Sequence, residues 1–273
     1  MKIYKNFILP YLIWAGLIII IPLIMILIYA FTTDGNSVLT VSFTLDNFKN
    51  ILSPSYISVF WTSLKVGIIT VLICLVLGYI MAYLISRFSE QVQSILILMV
   101  TIPMWINMLL RTYAWISILS ENGLFNSFLG LFGIEPMTLM YTDFAVILGL
   151  VCDFLPFMII PIHTSLSKMD KSLIEASYDL GANKFQTFKK VIFKLSLPGV
   201  INGIIMVFLL SISSFVIPKL LGGGNYMMVG NLIESQFVSV GDWNFGGAIS
   251  FVLAFIMLIA IKLTEKFDKS DEK

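Results

Sequence analysis

Charged residues are scarce in this sequence, and their scarcity decides its broad class. Of the 273 residues only 12% are charged, whereas 58% are hydrophobic and the mean hydropathy is +0.96. A soluble domain of this length would have far more polar surface to cover, so a soluble fold is excluded. The net charge of +1 gives no support for a nucleic-acid partner. The composition indicates an integral membrane protein.

The residue types that carry metal and redox chemistry are also few. His163 is the only histidine, and Cys74 and Cys152 both lie in apolar runs without CxxC spacing. We therefore expect neither a metal site nor a disulfide. No Ser/His/Asp or Cys/His set converges by spacing, and no GxxxxGK[ST] phosphate-binding loop is present. The sequence predicts no catalytic site and no bound cofactor, so any ATP hydrolysis must occur on another chain.

Long apolar runs dominate what remains. A membrane-spanning helix needs about 20 apolar residues, and only helices or closed barrels satisfy their backbone in lipid. The first run follows Lys2 and Lys5 and is too long for a signal peptide, so we interpret it as an uncleaved span. The sequence thus predicts one all-α membrane domain over 1–273. Its six spans are roughly 7–31, 57–86, 92–119, 143–165, 198–221 and 245–263.

The distribution of lysine and arginine predicts the orientation of these spans. Thirteen of the 17 basic residues fall in the termini and in alternate connections, six of them between Lys168 and Lys194. Only Lys49 and Lys219 fall in the remaining connections. Because basic residues concentrate in cytoplasmic connections, both termini and the connection 166–197 are predicted to be cytoplasmic.

The connection 166–197, which we call the coupling segment, has the pattern of two helices joined by a turn. Ser172 and Glu175 have capping-box spacing, and Gly181 stands where a helix would end in a left-handed residue. Pro198 is expected in the first turn of the fifth span. The apolar positions of the second helix follow helical spacing: Phe185, Phe188, Ile192 and Leu195.

Three uses of such a segment are open from its residues. It could lie on the lipid surface, it could be a packed loop, or it could dock into a groove of a soluble partner. The small side chains of Ala176 and Ser177 beside a tight turn favour close approach of another protein.

The stretch "EASYDLG" resembles the EAA signature of permease subunits in ATP-binding cassette importers. In that family the helix pair enters a cleft of the cytoplasmic ATPase. The chain departs from the signature at Ser177, where alanine is usual, and at Lys194, where proline is usual. The resemblance implies an ATPase-coupling interface made by Glu175, Ala176, Ser177, Leu180, Gly181 and Phe185.

The resemblance is not limited to this signature. Over most of 57–265 the chain is similar to the permeases of spermidine/putrescine importers. This resemblance is carried by "RTYAWISIL", "DFLPFMIIPIHTSLSKMDKSLIEAS" and "PKLLGGGNYMMVGNLI". It implies a type I importer fold in a prokaryotic plasma (inner) membrane and alternating access. It also implies a dimeric ATPase that holds ATP and magnesium, a second related permease and an extracytoplasmic polyamine-binding protein.

Charges inside the spans are the candidate transport sites, because a charge at the bilayer centre costs at least about 2.5 kcal/mol. Asp153 lies about ten residues, or about 15 Å, into the fourth span. It would offer a countercharge to a protonated polyamine. Alternatively, it forms a structural ion pair with Lys65 or Arg111. We expect a structural or gating role for Arg111 and Lys65.

Three aromatic residues join Asp153 as candidates for the solute path: Trp105, Tyr113 and Trp115. Their rings could hold ammonium groups by cation–π contact, or they could form the interfacial belt of a membrane protein.

The leading hypothesis is a permease subunit for spermidine and putrescine. The alternatives are the same machine with another small solute and a self-contained channel or secondary carrier. A membrane enzyme is disfavoured because no catalytic set is visible.

Overall fold

Helices account for nearly all of the computed structural model, which describes residues 2–33, 42–224 and 226–268. Within these ranges the β structure is limited to an isolated bridge between Thr32 and Phe43. The predicted all-α class is confirmed. The α-helices are α1 Lys2–Ala30, α2 Asp46–Ile51, α3 Pro54–Ser86, α4 Glu90–Trp105, α5 Met108–Leu119, α6 Leu124–Gly130, α7 Asp143–Ser167, α8 Lys171–Asp179, α9 Lys184–Thr187, α10 Phe193–Ser213, α11 Val216–Leu221, α12 Val229–Glu234 and α13 Trp243–Asp268.

Two π-helical turns complete the secondary structure. The first, Phe188–Ile192, joins α9 to α10, and the second, Ser235–Val240, follows α12. Such turns are rare and occur often at functional sites. Among the described residues, five helices are long and apolar enough to cross a membrane, or six if the bent pair formed by Glu90–Trp105 and Met108–Gly130 is one span. The count of six spans therefore stays a prediction.

The chain forms two compact units. One unit contains the described residues up to Phe60 together with Val229–Leu258. In it the ring of Phe31 packs against Phe48 and Phe251, with centroids 4.9 and 5.5 Å apart. The amide of Asn244 donates to the carbonyl of Thr32 at 2.7 Å, which ties the start of α13 to the end of α1.

The other unit contains Trp61–Met228 and the described residues from Ile259 onward. Its centre is α7, whose Met158 is fully buried between α3 and α10. A Cβ at Gly203 of α10 would lie 2.6 Å from the sulfur of Met158, and one at Gly78 of α3 would lie 2.8 Å from its Cγ. Small residues let membrane helices approach closely, and here they make room for one large side chain.

The third predicted span is not one straight helix. Residues 92–119 form α4 and α5, and the bent pair that contains them has an angle of 89°. Pro103 lies near the end of α4, Ile106 is extended, and the side chain of Asn107 caps α5 by accepting from the amide of Leu109 at 2.8 Å. An extended residue and a new cap end one helix and start another.

Three further details of the sequence-based prediction were wrong. Pro198 lies inside α10 and not in its first turn, because the helical path already begins at Lys184 and continues through the π-helical turn. The predicted span 198–221 is not one helix: α10 ends at Ser213, and the rest of the run contains a break and the separate helix α11. Asp170, not Ser172, caps α8.

Two lysines used to predict the orientation of the spans, Lys269 and Lys273, lie outside the described residues.

Candidate functional site

The coupling segment begins with a capped helix. The carboxylate of Asp170 accepts from the amide of Ser172 at 2.9 Å, which satisfies a donor at the start of α8. This hydrogen bond lowers the pKa of the Asp170 carboxyl below its ordinary value.

The turn that ends α8 is built around Gly181. Its φ of +81° is in the left-handed region, as the sequence predicts. The amide of Gly181 donates to the carbonyl of Tyr178 at 2.8 Å, and the amide of Ala182 donates to that of Ser177 at 3.1 Å. These two bonds are those of a Schellman motif, which satisfies the last carbonyls of a helix.

The second helix has its own cap at Asn183. The side chain of Asn183 accepts from the amide of Gln186 at 2.9 Å, and the Gln186 side chain accepts from the amide of Asn183 at 3.0 Å. The two caps and the Schellman turn satisfy the backbone of the coupling segment locally. Its shape is therefore fixed by residues close in sequence.

The side chains of the predicted ATPase interface divide into an exposed set and one buried residue. Leu180 is 89% exposed and Phe185 is 72% exposed, and both are large and apolar. Glu175, Ala176 and Gly181 are also exposed. Ser177 is only 8% exposed, and its hydroxyl lies 2.8 Å from that of Thr187. An apolar, exposed turn suits contact with another protein, whereas Ser177 faces the second helix.

A cavity of about 710 Å³ lies beside the coupling segment, among the ends of α3, α4, α7 and α8. Glu175 lines it together with a polar cluster on α4 and α7. In this cluster the ring of His163 lies 3.0 Å from Gln93 Oε1, and Ser167 donates to the same oxygen at 3.2 Å. His163 thus has one polar partner on the neighbouring helix, Gln93, which the sequence could not show because the two residues are 70 positions apart.

The charges inside the spans form two ion pairs of different character. Arg111 Nε lies 3.4 Å from Asp153 Oδ1, with side chains only 19% and 4% exposed. Lys65 Nζ lies 3.6 Å from Asp143 Oδ2, but both side chains are more than half exposed. Of the two ion-pair partners considered for Asp153, the structure places Arg111 beside it.

The buried pair leaves hydrogen-bonding capacity unused. Within the part of the chain that the structure describes, Asp153 Oδ2 and Arg111 Nη1 are buried without a hydrogen-bond partner. Buried charged groups are normally satisfied, so this pair is able to accept a further polar group.

The three candidate aromatic residues differ in their exposure. Trp115 lies one turn after Arg111 on the same face of α5 and is partly buried against the core. Trp105, at the end of α4, is 78% exposed, and Tyr113 is 55% exposed. The two exposed rings project from the surface of this subunit.

The comparisons with known proteins define the class of this fold and site. Residues 74–266 match the family described as binding-protein-dependent transport system inner membrane component. The chain belongs to this family, and it is accordingly a transport subunit of an inner membrane and not an enzyme.

More particular likenesses lie within that class. The chain is 40% identical to the spermidine/putrescine transport system permease protein PotB of Escherichia coli (strain K12) over 247 residues, which are 89% of this chain and 90% of the relative. A crystal structure of a bacterial ABC transporter involved in the import of the acidic polysaccharide alginate matches with TM-score 0.76 and 15% identity, covering 100% of this chain and 96% of that one. A second alginate transporter structure, in complex with alginate pentasaccharide-bound periplasmic protein, has TM-score 0.76, 14% identity and the same coverage. At these identities the two structures show a shared fold.

Proposed function

We propose that this chain is the permease subunit of an ATP-driven importer that moves spermidine and putrescine across a prokaryotic plasma (inner) membrane. The observation that carries this proposal is the 40% identity to PotB over nine tenths of both chains. Identity of this extent covers the spans as well as the coupling segment. The subunit opens the solute path alternately to the two sides of the membrane.

The proposal assigns the chain four partners. A cytoplasmic ATPase dimer holds ATP and magnesium and contacts the exposed turn at Leu180 and Phe185. A second related permease completes the path, an extracytoplasmic binding protein delivers the polyamine, and lipid surrounds the spans. The exposed apolar side chains of the turn support the first contact, and the two termini share its cytoplasmic side.

Asp153 is the proposed countercharge for the solute. Its Oδ1 lies beside Arg111, while its Oδ2 has no hydrogen-bond partner among the described residues. An ammonium group that reaches the pair would bind Oδ2 and share the carboxylate with Arg111. Because Asp153 is 4% exposed, the solute reaches it only after helices move apart, as alternating access requires. Trp115 is the best placed of the aromatic candidates, and Trp105 and Tyr113 are assigned to the membrane interface or to the second permease.

The solute is tested by uptake of labelled spermidine and putrescine in cells that lack the chain and every other polyamine importer. We expect uptake to disappear without the chain and to return when it is expressed again. Unchanged uptake would remove the polyamine assignment. Labelled sulfate provides a control for general loss of membrane function.

A second candidate is the same machine with an anionic solute, because the alginate importer shares this fold. The double change Arg111→Met with Asp153→Asn tests the role of Asp153 in the polyamine candidate, since it neutralises the pair without leaving a lone buried charge. Spermidine uptake per folded transporter should fall about tenfold if Asp153 carries the cation, as loss of about 1.4 kcal/mol of binding predicts. A polyamine importer whose uptake is unaffected would not use Asp153.

A further inference from the structure

The contact between the two helices of the coupling segment is a buried pair of hydroxyl groups. Ser177 lies in the last turn of α8 and Thr187 is the last residue of α9, with side-chain oxygens 2.8 Å apart. Ser177 is 8% exposed and Thr187 is 1% exposed. The neighbours of this pair on the turn, Leu180 and Phe185, are by contrast largely exposed. Two polar side chains are thus buried beside two large apolar side chains that are exposed.

The hydrogen bonds of Ser177 decide which residue donates. Its hydroxyl also lies 2.8 Å from the carbonyl of Ile174 and donates to it. A hydroxyl has one hydrogen, so Ser177 accepts from Thr187. Without Ser177 the donor on Thr187 would lose this acceptor in a site that water does not reach. A buried donor left without a partner destabilises the folded segment.

The second helix is anchored to the membrane-spanning helices. The ring of Phe188, next to Thr187, lies between Tyr79 and Tyr83 of α3, with centroids 5.8 and 5.5 Å away. The hydroxyl of Tyr79 lies 3.0 Å from that of Ser196 in α10. From Thr187 the helical path continues through the π-helical turn into α10. A movement of Thr187 is therefore passed to two long helices.

We propose that the Ser177–Thr187 pair is the positioning contact that makes α8 move together with α9 and α10. The inference rests on the proposed function, in which the ATPase contacts the turn of the coupling segment. A push on the α8 side of the coupling segment, at Glu175 or Leu180, reaches α8 first, and the hydroxyl pair passes it to α9 and so to the helix that enters the membrane. Without the hydrogen bond the turn follows the ATPase, while α10 follows it only in part.

The test uses the complete importer in proteoliposomes with its ATPase, second permease and binding protein. The variants are Thr187→Val, Thr187→Ser, Ser177→Ala and the double change Ser177→Ala with Thr187→Val. The readouts are spermidine transported per ATP hydrolysed and the amount of folded, assembled complex. Thr187→Val keeps the shape of the side chain and removes the donor, whereas Thr187→Ser keeps the hydroxyl and serves as the matched control.

We expect Thr187→Val to reduce spermidine moved per ATP about fivefold, the factor expected from one hydrogen bond of about 1 kcal/mol, and Thr187→Ser to stay near the wild type. Ser177→Ala should also reduce the amount of folded complex. The double variant should recover that amount, because no donor is left unsatisfied, but not the transport ratio. An unchanged ratio in Thr187→Val, or a recovered ratio in the double variant, would overturn the proposal.

A further variant separates this proposal from the proposed function. Phe185→Asp places a charge on the exposed turn and should release the ATPase from the complex. If the ATPase stays bound and coupled in Phe185→Asp, the ATPase contact itself is wrong. If Phe185→Asp releases the ATPase while Thr187→Val transports normally, the ATPase contact is supported and only the positioning role of the hydroxyl pair is refuted.

Discussion

The coupling segment and the Arg111–Asp153 pair differ in how far their polar groups have hydrogen-bond partners. In the coupling segment the backbone is satisfied by caps from Asp170 and Asn183 and by the turn at Gly181, all local contacts. The ion pair joins residues 42 positions apart and leaves two nitrogens of Arg111 and one oxygen of Asp153 without a hydrogen bond among the described residues. The first arrangement fixes a shape that a partner can contact. The second buries a charged pair between α5 and α7 and leaves some of its polar atoms without a partner among the described residues.

The largest effect is expected from breaking the ion pair on one side. Asp153→Ala leaves the Arg111 charge buried and unpaired, and removal of one partner of a buried pair costs about 3–5 kcal/mol. Thermal unfolding of the detergent-solubilised complex would measure the loss. The paired change Arg111→Ala with Asp153→Ala should cost much less than the sum of the single changes. Strictly additive losses would show that the two residues do not interact.

The packing of α10 on α7 gives the next effect. Gly203→Ala puts a methyl group 2.6 Å from the sulfur of Met158, and overpacking of this kind costs about 1–3 kcal/mol. The same unfolding assay would detect it. In a Met158→Ala background this clash is absent, so Gly203→Ala should cost less stability there than in the wild type. An equal cost in both backgrounds would mean that another contact limits the approach of the helices.

The next prediction concerns the backbone conformation of Gly181, the residue at the turn of the coupling segment. Gly181→Pro excludes the φ of +81° and removes the amide that donates to Tyr178, so ATP hydrolysis should no longer drive uptake although the protein still inserts. Gly181→Asn is the matched control because asparagine tolerates the left-handed region, and a Cβ here meets no atom within 4 Å. Normal coupled transport by Gly181→Pro would refute the role of the turn.

The smallest effect is expected at the cap of α8. Asp170→Ala should remove the cap and lower the protection of the first α8 amides, which hydrogen exchange would report. The hydrogen bond lowers the pKa of Asp170, so its stabilisation is present above the ordinary value of 3.8 and is lost as the pH falls through the lowered pKa. Asp170→Asn should keep most of the cap and lose this pH dependence. Equal protection in wild type and Asp170→Ala would exclude the cap as a source of stability.

The contrast between the two regions also explains what the sequence could predict. The helix–turn–helix, its glycine turn and the apolar class of the chain follow from local pattern, and they are confirmed. The capping box at Ser172 was wrong because Asp170, two residues earlier, occupies the cap with a stronger acceptor. The break at Ile106 and Asn107 was missed because an apolar run gives no sign of an extended residue within it.

Contacts between distant residues could not be predicted at all. The sequence offered Lys65 and Arg111 as partners of Asp153, and only the packing of α5 on α7 distinguishes them. Thr187 was missed because a threonine in an amphipathic helix carries no signal until its partner Ser177 is seen to be buried with it. In a membrane helix, apolar pattern predicts crossing but not which face meets which neighbour.

The most direct test of the account is uptake of spermidine by the complete importer reconstituted in proteoliposomes, with ATP and the loaded binding protein each supplied or withheld. The account predicts accumulation only when both are present, and its loss in Phe185→Asp despite normal insertion. Accumulation without ATP, or full accumulation by Phe185→Asp, would contradict the claim that the coupling segment transmits ATP hydrolysis to the solute path.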